Sequence, residues 1–119
     1  MTVRVMVVED EAILAIDIAE QLTEAGFVVV GPATSVAKAL RLVAEVGCDV
    51  AVLDVNLRDE TAEPIAHALR SRGTPFVFLS AVAREHLPPG FAGEVLLPKP
   101  ARAAILVAAL HKSIERAGA

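Results

Sequence analysis

An alternation restricts this chain more than any other feature of its sequence. Short apolar runs rich in β-branched residues (3–8, 27–30, 50–53, 76–79 and 94–97) are separated by longer stretches with apolar residues at helical spacing. The runs lack polar alternation, as strands buried on both faces do. Residues 11–25 place Leu14, Ala15, Ile18, Ala19, Leu22 and Ala25 at helical spacing, and Gly26 stands where a helix C-cap would. Ser35 reads as the N-cap of a second helix, which runs to about Val46 and closes at Gly47. Residues 61–72 predict a third helix before Gly73, and residues 101–116 a last one before Gly118. Gly31-Pro32 ends the second strand, and Pro75 is tolerated at the start of the fourth.

Strands that alternate with helices form a parallel sheet covered on both faces, because right-handed crossovers put the helices there. The length of 119 residues suits a single domain spanning 1–119. Residues 83–93 break the regularity: Pro88-Pro89-Gly90 leaves room for a turn or two of helix at most. The fourth helix is therefore expected to be short or disordered. Val82, Leu87 and Phe91 are its few apolar anchors, and few buried contacts mean low local stability.

Composition removes several classes of function. At 55% hydrophobic, the chain carries too much apolar surface for intrinsic disorder. A net charge of −4 without a basic run leaves no footprint for nucleic acid, and four Phe without Trp or Tyr make no stacking platform. Cys48 stands alone, without a disulfide or zinc partner, and reads as a small packed side chain. His67, His86 and His111 lack ligand spacing. No apolar stretch approaches the ~20 residues of a membrane span, and the first residues lack a signal-peptide pattern. The expectation is a cytoplasmic protein with no membrane contact.

Ligands of open parallel sheets bind beyond the carboxyl ends of the strands. Here the first strand ends in Glu9-Asp10-Glu11, the third in Asp54-Val55-Asn56 and the fourth in Ser80-Ala81, while the fifth leads to Pro98-Lys99-Pro100. An apolar strand that twice delivers a carboxylate at its tip is not a packing pattern. Converging carboxylates resist ionising together unless a cation joins them, and Mg2+ takes oxygen ligands from one or two carboxylates, waters and a phosphate oxygen. A carboxylate beside that ion can attack a phosphoryl group, while a lysine and a hydroxyl hold its oxygens. Glu11 reads instead as a helix N-terminal acid favoured by the dipole.

Val-Val-Glu-Asp-Glu, Val-Leu-Asp-Val-Asn, Leu-Ser-Ala and Pro-Lys-Pro, in this order at four strand ends, resemble the receiver domain of two-component response regulators along the whole chain. The resemblance implies a flavodoxin-like doubly wound sheet of order 2-1-3-4-5. It implies Asp54 as phosphoryl acceptor, with Ser80 and Lys99 on the phosphoryl oxygens and a cis Lys99-Pro100 peptide. Mg2+ would be held by Asp10, Asp54 and the Asn56 main-chain carbonyl, with Glu9 acting through water. The partners implied are a sensor histidine kinase or phosphotransfer protein and a downstream protein. The sequence departs from the family pattern at Leu96, where an aromatic usually stands, at Ala101, where Phe often follows Lys-Pro, and at Arg58-Asp59-Glu60, which lacks a frequent glycine. The fourth helix is shortened and proline-bearing. The 75–78 segment Pro-Phe-Val-Phe is similar to a subgroup of single-domain regulators that also lack the aromatic and often pair with a distinctive class of sensor kinases.

Two other functions compete. An aspartate-nucleophile phosphatase needs an acid two residues after its nucleophile, and Asn56 cannot transfer that proton. A phosphorylation-independent interaction module would tolerate loss of an acid or the lysine, and none is lost. A nucleotide site is disfavoured by the lack of a G-x-G-x-x-G or Walker loop. Because the chain stops after its last helix, output through another protein, or service as a phosphate relay, is expected. Ile13 and Ile16 lie off the core face of the first helix, as incidental surface hydrophobes or as a docking surface for a partner helix.

Overall fold

A computed structural model of the chain describes residues 2–81 and 87–118. Five parallel strands form one sheet in the order β2-β1-β3-β6-β7. They are β1 (Arg4–Val8), β2 (Val28–Ala33), β3 (Val50–Asp54), β6 (Phe76–Ser80) and β7 (Leu96–Pro98). A small antiparallel hairpin of β4 (Asn56–Leu57) and β5 (Glu60–Thr61) follows β3. The helices are α1 (Ala12–Glu24), α2 (Val36–Glu45), α3 (Glu63–Ser71) and α4 (Ala103–Gly118). This is the flavodoxin-like doubly wound order, 2-1-3-4-5 when only the strands of the main sheet are counted.

The missing alternation in the sequence has a direct structural cause. Side chains of a strand point alternately to its two faces, and here both faces are covered. Met6, Val8, Ala51, Leu53, Phe76 and Phe78 pack on one face with α2 and α3 residues such as Ala39, Val43, Ile65 and Leu69. Val5, Val7, Val50, Val52, Val77 and Leu79 pack on the other with Ile18 and Leu22 of α1 and Leu106 and Leu110 of α4. Neither face can be polar, so the central strands read as unbroken apolar runs.

The outer strands differ from the sequence reading. β2 is an edge strand whose Val28 is about half exposed, not a fully buried one. It also runs through Gly31-Pro32 to Ala33 rather than stopping there. Gly31 makes that path possible: its φ is 96°, and a Cβ there would lie 2.8 Å from the Ala33 nitrogen. The pairing with β1 shifts at this point, between Met6 and Val8. β7 is the opposite edge and begins at Leu96 rather than Glu94. The third helix starts at Glu63 because Glu60 and Thr61 are taken by the hairpin, and the Thr61 hydroxyl accepts the Glu63 N–H at 3.3 Å. Ser35 caps α2 as expected, accepting the Lys38 N–H at 3.2 Å.

The expected short or disordered fourth helix falls partly on residues 82–86, which lie outside the described residues, as does His86. The remainder, from Leu87 to Gly93, makes turns and no helix. Its contacts reach into the core. Phe91 is fully buried against the rings of Phe76 and Phe78, with centroids at 6.1 and 6.2 Å. From α3, His67 meets its edge at 4.9 Å and the Arg70 guanidinium lies over its face at 4.0 Å. Arg70 also donates to the Gly90 carbonyl at 3.0 Å and pairs with Glu94. The expectation of few buried contacts does not hold for this part: the anchors of Phe91 come from strand and helix residues distant in sequence.

Candidate functional site

The sheet register brings the strand tips together. Val8 lies beside Leu53, Asp54 beside Leu79, and Ser80 beside Pro98, so the residues following β1 and β7 converge on the end of β3. The backbone is pinned around them: Glu9 N–H donates to Ala33 O, Val55 N–H to Leu79 O, and Lys99 N–H to Ser80 O, each at 3.0 Å. The Lys99-Pro100 peptide is cis, as is Gly31-Pro32.

Lys99 stands between two buried carboxylates, with Nζ 2.8 Å from Glu9 Oε1 and 3.1 Å from Asp54 Oδ2. Asp54 Oδ1 accepts the Asn56 N–H at 3.3 Å, and Glu9 Oε2 accepts the Glu11 N–H at 3.1 Å. Ser80 is buried at the end of β6. Glu9, Asp10 and Asp54 each offer an oxygen within 4.8 Å of the others. Asn56 is exposed on the hairpin just beyond.

Glu9 is only 1% exposed, and burial raises its carboxyl from the ordinary 4.5 to about 7. The Lys99 ammonium and the Glu11 N–H oppose this rise, while Asp10 and Asp54 add to it. For Lys99, burial would lower the pKa, but the carboxylates of Glu9 and Asp54 outweigh it and hold the ammonium above its ordinary range. Lys99 Nζ pairs with Glu9 Oε1 at 2.8 Å, and because a carboxylate oxygen has two lone pairs, this buried oxygen keeps capacity for a further partner. A buried acceptor with spare capacity, beside two further carboxylates, fits a hard cation that takes oxygen ligands.

Sequence reasoning missed three contacts. Arg58 Nε lies 3.7 Å from Asp10 Oδ2. Glu60 Oε2 accepts the Val36 N–H at the start of α2, at 3.4 Å. Phe91 fills the space under α3. The run Arg58-Asp59-Glu60 at a glycine-poor turn was the signal for the first two; only the fold reveals the third.

Three acids and a lysine thus converge at the carboxyl edge of a doubly wound sheet. The chain belongs to the response regulator receiver domain family, whose sequence model matches residues 5–111. It is 32% identical over 85 residues to the transcriptional regulatory protein PdtaR of Mycobacterium tuberculosis, a match covering 71% of this chain and 42% of that protein. Among solved structures, it is similar to a response regulator receiver protein from Sinorhizobium medicae WSM419, with a TM-score of 0.85, 28% identity and coverage of 98% and 97% of the two chains. SdrG from Sphingomonas melonis Fr1 matches at a TM-score of 0.80 and 33% identity, over 96% and 97% of the chains. Receivers are signalling modules of two-component systems that bind Mg2+ through acidic residues and work with histidine kinases or phosphotransfer proteins. No helix among the described residues is long and apolar enough to cross a membrane.

Proposed function

We propose that residues 1–119 act as one phosphoacceptor receiver domain, in which Asp54 takes a phosphoryl group from a phosphohistidine of a sensor kinase or phosphotransfer protein. A carboxylate oxygen of Asp54 forms the new bond to phosphorus as the bond from phosphorus to the histidine nitrogen breaks and its electron pair leaves with the imidazole. Lys99, already within 3.1 Å of Asp54, faces the phosphoryl oxygens, and the Ser80 hydroxyl donates to another of them. Asp10, Asp54 and the Asn56 carbonyl hold Mg2+, with Glu9 acting through water. The ion supplies charge neutralisation for the incoming phosphoryl oxygens. Water later cleaves the acyl phosphate and returns Asp54 to its carboxylate, so no separate catalytic domain is required. The kinase engages α1, where Ile13 and Ile16 are exposed. Signalling proceeds through contacts with another protein or by passing the phosphoryl group on, in the cytoplasm.

The observation that carries this reading is the convergence of Asp54, Glu9, Asp10 and Lys99 on one point from three strand ends. The test is labelled phosphoryl transfer from a sensor kinase or a small phosphodonor. Wild type should gain label that survives acid and is lost in base, and Asp54→Asn should gain none. Label at wild-type level in the variant places the acceptor elsewhere; a wild type that takes no label from any donor favours the phosphorylation-independent module.

A further inference from the structure

The turn after Asp54 carries an arginine in a conformation that favours glycine. Arg58 has φ 58° and is the one non-glycine residue with positive φ recorded among the described residues. With Asp59 it forms the two-residue connection between β4 and β5, where tight hairpins often place glycine. The hairpin is tied at both ends, since it begins one residue after β3 and Glu60 accepts the Val36 N–H at the start of α2. Its position aims the guanidinium at Asp10, 3.7 Å away, while the side chain stays 78% exposed. An ion pair this exposed adds little to folding. Fold stability therefore gives no account of a charged residue where glycine would relieve the backbone.

We propose that Arg58 is a built-in counterion of the acidic pocket, holding Asp10 when no divalent cation is bound and releasing it when one binds. The hairpin thereby weakens the affinity of the pocket for the cation. This rests on the reading of Glu9, Asp10 and Asp54 as the cation site. A guanidinium beside Asp10 competes for the carboxylate and repels the dication. Its exposure gives it room to withdraw, and water and salt screen the repulsion.

The test is an Mg2+ titration of the whole chain, followed by backbone amide NMR shifts at low ionic strength. It compares wild type with Arg58→Gly, which relieves the backbone, Arg58→Asn, a neutral residue that tolerates left-handed φ, and Asp10→Asn. Thermal melts of each variant confirm folding. Both Arg58 variants should bind Mg2+ about threefold to tenfold more tightly than wild type, with the gain shrinking as salt rises. Unless both tighten, the proposal is overturned. Asp10→Asn reports on the underlying reading separately: it should lose most of the affinity, and if it binds as wild type does, the cation site is elsewhere whatever the Arg58 variants do.

Discussion

Phe91→Ala tests whether the chain between β6 and β7 is a loose connection or a packed part of the core. The ring is fully buried and meets Phe76, Phe78, His67 and Arg70. Truncating a buried phenylalanine removes its transfer free energy and leaves a cavity, together about 3–5 kcal/mol. Part of this is the guanidinium over the ring face, about 0.5–1 kcal/mol for an exposed cation. The total is a large fraction of the ~5–15 kcal/mol by which small domains are stable. Urea unfolding should be followed by circular dichroism, since the chain has no Trp or Tyr to report by fluorescence. We expect a loss of about 3 kcal/mol or more. The double variant Phe91→Ala/Arg70→Ala should show a coupling of about 0.5–1 kcal/mol between ring and guanidinium. A loss below about 1 kcal/mol, as for an ordinary loop residue, would refute the reasoning and restore the weakly anchored segment suggested by its prolines.

Other outcomes follow from the site and the edge strand. The raised Glu9 carboxyl binds its proton more tightly folded than unfolded, so stability measured in chelator should fall as pH rises from 4.5 to about 7. At ~1.4 kcal/mol per pH unit the fall is about 3 kcal/mol at most, and Glu9→Gln should flatten that window. The raised Lys99 ammonium acts in a separate window: its contribution is complete below the ordinary value of 10.5 and is lost as pH climbs through the higher folded value. Gly31→Ala should cost more than Gly26→Ala in urea unfolding. Both glycines have positive φ, but only at Gly31 does the added Cβ meet backbone, at 2.8 Å.

The order of strands and helices and the acids at the strand tips were legible because they are written locally. An apolar run covered on both faces loses its alternation, and a carboxylate at the end of such a run has no packing reason to be there. Edge position was not legible. Residues 27–30 read like a central strand, since nothing in an apolar run records how many neighbours it will have. The hairpin was missed because its strands are two residues each and its turn lacks the usual glycine, so Arg58 disguises it. Phe91 reads as an anchor, but the depth of its burial was not legible: its partners lie on β6 and α3, and two adjacent prolines were the stronger local signal.

The site also ties its chemistry to the folding of the sheet. Glu9 and Asp10 follow β1, Asp54 ends β3 and Lys99 follows β7, so no short segment of the chain contains the pocket. It exists only while Val8, Asp54 and Ser80 keep their register with Leu53, Leu79 and Pro98. Among the described residues, the three carboxylates meet one buried-side ammonium, Lys99, and the exposed Arg58 guanidinium approaches Asp10. The described residues therefore leave an excess of negative charge at this point, which a proton on Glu9 or a bound dication would offset. A cation that binds the folded state alone stabilises it by about 2.7 kcal/mol at a hundred times its dissociation constant. That is the same size as the pH-dependent cost of ionising Glu9. Saturating Mg2+ should therefore compensate the stability lost between pH 4.5 and 7, while its own binding weakens toward acid as Glu9 takes up its proton. A pH slope that is the same with and without the ion would mean that proton and cation do not share this pocket.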